Sequence, residues 1–174
     1  FASLADTPYR ERPGFNFMMT LAAFSKPLVA AVNGSAVGLG VTLLLHCDLV
    51  CASTTTRLSF PFVTIGLVPE FGSTALLPQR LGYQKAAEIL MLGQKLEPAE
   101  ALQLGLFNTV AAGDTLYAQA LAYCKALAMQ PQDAVLATKQ LMKCSEVDAI
   151  QQRIDAETRA INRLLPNLKL PEKP

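Results

Sequence analysis

The run from Lys26 to Gly72 constrains the fold more than any other part of the chain, and its densest part is Asn33-Gly34-Ser35-Ala36-Val37-Gly38-Leu39-Gly40-Val41-Thr42. Ahead of it, Pro27-Leu28-Val29-Ala30-Ala31-Val32 is an apolar run of strand length closed by Asn-Gly, which predicts a buried strand ending in a turn. Behind it, Val41 to Cys47 is apolar and unbroken, which predicts a buried helix whose N-terminus falls among Gly38, Leu39 and Gly40. Strand, glycine-bearing turn and helix in that order leave backbone N–H groups unpaired at the turn, with the helix dipole behind them. Such a turn stabilises negative charge held against it.

The 174 residues suit a single domain, and 51% hydrophobic against 17% charged residues supply a core for it. Fifteen Lys and Arg face fourteen Asp and Glu with no dense basic cluster, which argues against a nucleic-acid partner. No apolar run reaches the roughly 20 residues of a membrane span, and the first residues have neither the charged start nor the apolar segment of a signal peptide. Cys47, Cys51, Cys124 and Cys144 show no CxxC or paired metal-ligand spacing. Reduced core thiols, no metal and a cytoplasmic location are the expectations.

Residues 1 to 72 hold most of the β-branched runs, whereas from Ser73 onward Ala, Leu, Gln, Lys and Glu dominate at helical spacing. The pattern predicts an α/β fold, a sheet layer followed by a helical layer. Pro8 to Phe24 reads as an amphipathic helix, Asp48 to Ala52 and Arg57 to Phe60 as strands, and Leu106 to Val110 as a last strand. Pro61 to Gly72 is a long apolar connection. Helices are predicted over Ser73–Leu81, Gln84–Leu92, Pro98–Leu104, Thr115–Met129, Pro131–Lys143 and Val147–Leu164, with a proline-bearing tail from Pro166 to Pro174. The last helix carries Ile150, Ile154, Ile161 and Leu165 as an apolar stripe, and its charges read as a solvated face.

Lys26-Pro27 before the apolar run, Asn33-Gly34-x-Ala36-x-Gly38, Cys47-Asp48, Ile65-Gly66-Leu67-x-Pro69 with Gly72, and Gly93 through Leu96, Glu100-Ala101 and Gly105-Leu106 resemble the crotonase superfamily. Enoyl-CoA hydratases and isomerases belong to it. The resemblance implies a spiral of ββα turns followed by C-terminal helices, with residues 1–112 as core and residues 113–174 as an oligomerisation region. A homotrimer or dimer of trimers, an acyl-CoA thioester substrate and no metal or redox cofactor are implied with it. The family's N-terminal segment, including a turn that gives the first oxyanion-hole N–H, has no counterpart before Phe1. The expectation is therefore a partial core.

Hydratases of this superfamily carry two glutamates that activate a water; the matching positions here are Thr42 and Phe62. A carboxylate stands instead at Glu70, in Pro69-Glu70-Phe71-Gly72, where peroxisomal-type Δ3,Δ2-enoyl-CoA isomerases place their acid/base. By this resemblance Glu70 is the candidate catalytic residue and the Leu39 N–H an oxyanion donor. Ala36, Gly38, Phe62, Pro69 and Phe71 are candidates for substrate binding. The implied activity moves a 3-enoyl-CoA double bond to trans-2-enoyl-CoA, as in fatty-acid β-oxidation. A hydratase or acyl-CoA hydrolase of the same type, or a catalytically impaired CoA-binding protein, stays open beside it. The residues alone leave plainer readings too: Glu70 as a carboxylate at the start of the next helix, Gly38 as a helix start, Phe62 and Phe71 as core, and His46 as a hydrogen-bonded core histidine.

Overall fold

The computed structural model describes residues 8–143 and 147–168. Its first helix, α1 (Pro13–Ala22), begins later than the amphipathic pattern, because a proline is accommodated at a first helical position and not within a continuing helix. Phe15, Met18 and Ala22 are its buried face. The apolar run then forms β1 (Val29–Val32), and Asn33-Gly34 turns the chain, Gly34 at φ +92°. Instead of passing directly to a helix, Ser35–Val37 forms a second strand, β2. Three residues carry no periodicity that reveals a strand. β2 exists through its parallel pairing with β4 (Arg57–Ser59), which sets Ala36 beside Leu58.

The predicted helix from Val41 to Cys47 is a short α-helical turn, α2 (Leu39–Thr42), continued as a 3-10 turn over Leu43–His46. The tightening follows from where the chain must go next. The Asp48 carboxylate accepts the Leu28 N–H at 2.7 Å while the Asp48 N–H donates to the Leu28 carbonyl at 2.9 Å, which fixes the start of β3 (Leu49–Ser53) beside β1. A 3-10 turn advances farther per residue than an α-helix.

β1, β3 and β6 (Thr109–Ala111) form one parallel sheet in the order β1-β3-β6. β2, β4 and β5 (Lys95–Leu96) form a second, with β4 and β5 antiparallel. β1 with β2, and then β3 with β4, place one strand in each sheet before the chain turns to helix, which is the ββα spiral the resemblance implied, while β5 joins β4 in its sheet and β6 follows α5 back into the first. β3 is central in its sheet, and Val50 through Ser53 are all buried. The helices are α3 (Ser73–Leu81), α4 (Tyr83–Leu92), α5 (Pro98–Gln103), α6 (Gly113–Ala128), α7 (Gln132–Lys143) and α8 (Val147–Leu164).

One core runs through both sheets; Leu58, Phe60, Phe71, Leu77, Ile89, Leu96 and Ile154 are among its fully enclosed side chains. α6 lies on β1 and β3, with Leu116 and Ala120 against Cys51. α8 packs on α1 and α3 through Ile150 and Ile154, while Ile161 and Leu165 are only partly buried. Cys47 and Cys51 are buried free thiols as expected, but Cys124 is exposed on α6, and Cys144 lies outside the described residues. Among the described residues no helix is long and apolar enough to cross a membrane.

Candidate active site

Glu70 stands at the end of the apolar connection between β4 and α3, where the backbone turns sharply. Phe71 has φ +63° and is the one non-glycine residue with positive φ among the described residues; Gly72 follows at φ +71°. A left-handed non-glycine residue costs roughly 1–2 kcal/mol, so the surroundings must hold it there. The Phe71 ring is fully enclosed, stacked on His46 with centroids 4.0 Å apart and tilted against Phe17 at 6.0 Å. His46 Nε2–H donates to the Phe71 carbonyl at 2.7 Å. Since a carbonyl only accepts, the imidazole carries its proton on Nε2. Burial pushes its pKa down to about 4, so it is neutral. Ser73 donates from its N–H (3.2 Å) and its hydroxyl (2.6 Å) to the Glu70 carbonyl. The backbone from the Glu70 carbonyl onward is pinned, and the Glu70 carboxyl has no hydrogen-bond partner among the described residues.

The plain reading of Glu70 as the carboxylate of the α3 N-terminus fails because another residue occupies that place. Glu157 of α8 is only 4% exposed. Its Oε2 accepts the Gly72 N–H at 2.6 Å, and its Oε1 accepts the Thr74 N–H at 3.0 Å and the Thr74 hydroxyl at 2.6 Å. These are the open N–H groups of the α3 start, met by the two oxygens of a buried acidic side chain. The charges of α8 are thus not all solvated. Glu157 lies three residues past Ile154 and seven past Ile150, on the apolar stripe itself, and that spacing was the signal that could have found it.

Burial, and after it the repulsion of Glu157, pushes the Glu70 carboxyl up to about 7. The folded protein therefore keeps a proton that the unfolded chain releases near pH 4.5. Glu70 contributes full stability below that value, and the contribution is lost as pH rises through 7. His46 acts in the opposite sense, its stability being present above 6.5 and lost as pH falls through 4. Glu70→Gln is expected to be more stable than the native chain at pH 8 by on the order of 2 kcal/mol, with most of the difference gone at pH 5. Urea unfolding at the two pH values measures it; an equal difference at both would mean that burial does not hold the proton.

Gly38, at φ +57° and ψ −121°, takes a conformation that only glycine adopts readily and opens α2. Its carbonyl accepts the N–H groups of Val41 and Thr42, both at 3.1 Å, so the chain is already helical there. The N–H groups of Leu39 and Gly40 precede the first helical donor, Val41, and find no acceptor among the described residues. The same rigid segment that begins with the Leu39 N–H ends at His46, which holds the Phe71 turn. The two candidate groups are thereby linked through four residues of backbone beyond Thr42.

Thr42 is fully buried, its hydroxyl spent on the carbonyls of Gly38 and Leu39 at 3.3 Å each. Phe62 is buried and opens a 3-10 turn over Val63–Ile65. Ala36, Phe62 and Phe71 belong to the continuous core, Pro69 is buried, and Gly38 is half-buried. Two cavities, of about 380 and 620 Å³, lie elsewhere, between α7 and the segments at Lys26 and Asp48, and no candidate residue lines them. Of the four cations that line them among the described residues, three are engaged: Lys139 donates to Asp48 at 2.7 Å, Lys143 to the His46 carbonyl at 3.2 Å, and Arg80 to the Leu45 carbonyl.

Comparison with known proteins gives the family of the chain. The family model described as enoyl-CoA hydratase/isomerase matches residues 4–170. The chain is 35% identical over 137 residues to a 2,3-dehydroadipyl-CoA hydratase of Escherichia coli (strain K12), covering 79% of this chain and 54% of that protein. It is 37% identical over 134 residues to the enoyl-CoA delta isomerase 2 of Rattus norvegicus, covering 77% of this chain and 34% of the relative. It thus spans about half or less of these relatives. The structure of Pseudomonas aeruginosa OdaA superimposes with a TM-score of 0.88 at 40% identity, over 95% of this chain and 68% of that one. With the ββα spiral, the glycine turn and these matches in agreement, the chain belongs to the enoyl-CoA hydratase/isomerase family of the crotonase superfamily.

Proposed function

We propose that this core serves an acyl-CoA isomerase that converts a 3-enoyl-CoA to the trans-2-enoyl-CoA, with Glu70 as the only acid/base. The observation that carries the reading is the state of Glu70: pinned backbone, a half-buried carboxyl without a hydrogen-bond partner among the described residues, and a pKa pushed up to about 7. A carboxyl that titrates there takes and returns a proton at neutral pH. Glu70 removes a proton from C2, the C2–C3 bond becomes double as the C3–C4 double bond opens, and the same proton returns at C4. No electron is gained or lost overall. The developing thioester oxyanion needs a donor, and the Leu39 N–H supplies one.

Hydration would call for a carboxylate that orients water, and Thr42 and Phe62 offer none. Phe62 puts hydrocarbon where hydratases of the superfamily have a carboxylate, which favours proton return over water attack in this reading. Ala36, Gly38 and Pro69 shape the acyl side of the same site in this reading, and Phe71, enclosed between His46 and Phe17, serves it only by holding the turn that presents Glu70. Exposed Met129, Leu141 and Met142 leave apolar surface on the C-terminal helices for a homotrimer or a pair of trimers.

The test is to supply a 3-enoyl-CoA in deuterated water and follow the products. The expected result is trans-2-enoyl-CoA as the main product, with partial deuterium at C4. 3-Hydroxyacyl-CoA as the main product would assign the chain to hydration, the activity named for its Escherichia coli relative.

A further inference from the structure

Glu157 is the buried ionisable group that the proposed chemistry leaves unused, and it is placed where an inert residue would be costly. A carboxylate out of water is strongly disfavoured unless charge-assisted hydrogen bonds compensate. Glu157 receives three of them, from Gly72, from Thr74 and from the Thr74 hydroxyl, at 2.6 to 3.0 Å. All three come from the residues immediately after the Glu70-Phe71 turn. The clamp therefore grips the turn from its C-terminal side, as His46 grips it through the Phe71 carbonyl.

We propose that Glu157 is a positioning residue for Glu70: it locks the Phe71-Gly72 turn that presents Glu70 and sets a fixed negative charge beside it. This inference rests on the reading of Glu70 as the acid/base. Of two neighbouring carboxyls, the one with three donors holds the charge, and the one with none keeps the proton. The groups that bear on Glu157 are the Thr74 and Gly72 donors at the start of α3 and Arg153 one helical turn back on α8, together with Glu70, which feels its charge. From α1, Arg12 reaches α8 at Asn162. Burial pushes the Glu157 pKa up, against the pull of the Thr74 and Gly72 hydrogen bonds and of Arg153. Burial also raises Glu70, whose carboxyl then feels the Glu157 charge.

The experiment follows the side-chain carboxyl carbons of labelled glutamates by NMR in the protein and in Glu157→Gln, with Glu70→Gln identifying the Glu70 signal. In the unmodified protein Glu157 is expected to lose its proton at lower pH than Glu70. In Glu157→Gln the Glu70 midpoint is expected to fall while staying above the ordinary carboxyl value, because burial remains. The acid limb of the kcat/KM profile should move the same way, with KM for the acyl-CoA unchanged. A purely structural cap would lower stability and leave the Glu70 midpoint where it was; that result in a folded Glu157→Gln overturns the proposal. If Glu157→Gln does not fold, the order of titration in the unmodified protein decides, and Glu157 titrating above Glu70 overturns it. A falling midpoint together with full turnover by Glu70→Gln supports the clamp and overturns the acid/base reading.

Discussion

Glu70→Gln is expected to lower isomerisation by two to four powers of ten, the usual contribution of a positioned acid/base, with little change in KM. The amide keeps the size of the carboxyl and the backbone of the turn, because the bonds that fix that turn come from Ser73, His46 and Glu157 and none comes from the Glu70 side chain. What it loses is the ability to take a proton. The effect on kcat follows from the chemistry of the step: a proton next to a thioester leaves only when a base is aligned with it and the enolate oxygen is held at the same moment. The oxyanion donor remains in the variant, so residual turnover above the uncatalysed rate is expected. Steady-state kinetics of conjugated product formation give the number. Loss below tenfold would place the base elsewhere.

Phe71→Ala is expected to cost about 3–5 kcal/mol of stability, the range for truncating an enclosed phenylalanine. Two contributions combine here. The ring is 0% exposed and packs between His46 and Phe17, so its removal leaves a void. Alanine at φ +63° keeps the left-handed strain while losing the stacking that offset it. With a domain stability of about 5–15 kcal/mol, the loss is a large fraction of the total. Urea denaturation at pH 7 measures it. Phe71→Leu, which refills much of the void, should recover part of the loss, and turnover should follow Glu70 out of position in Phe71→Ala. A change below about 1 kcal/mol would show that the turn is held by its hydrogen bonds alone.

The apolar run ending in Asn33-Gly34, the glycine at position 38 and the helical spacing after Ser73 were readable as local pattern. Each reflects a preference exerted over a few neighbouring residues: β-branched runs, φ freedom and a 3.6-residue repeat. β2 and β5 were not readable, since strands of three and two residues are defined by their partners. The 3-10 continuation over Leu43–His46 was hidden for the same reason, being set by the register of Asp48 against Leu28.

In the candidate site, Glu70, Gly38 and Leu39 came from a motif within one stretch of chain, and the resemblance singled them out before any contact was known. The sequence by itself thus determined the strand–glycine turn–helix order around Gly38, the apolar connection that delivers Glu70, and the absence of carboxylates at positions 42 and 62, while the ββα order came from the resemblance. Only the tertiary structure set Glu157 on the start of α3 and left the Glu70 carboxyl without a hydrogen-bond partner among the described residues. The bond from Gly72 to Glu157 spans 85 residues, and the bond from His46 to Phe71 spans 25. Burial and the charge of a distant helix act through space, so no local pattern records them, and they are what shift the titration of Glu70 into the neutral range.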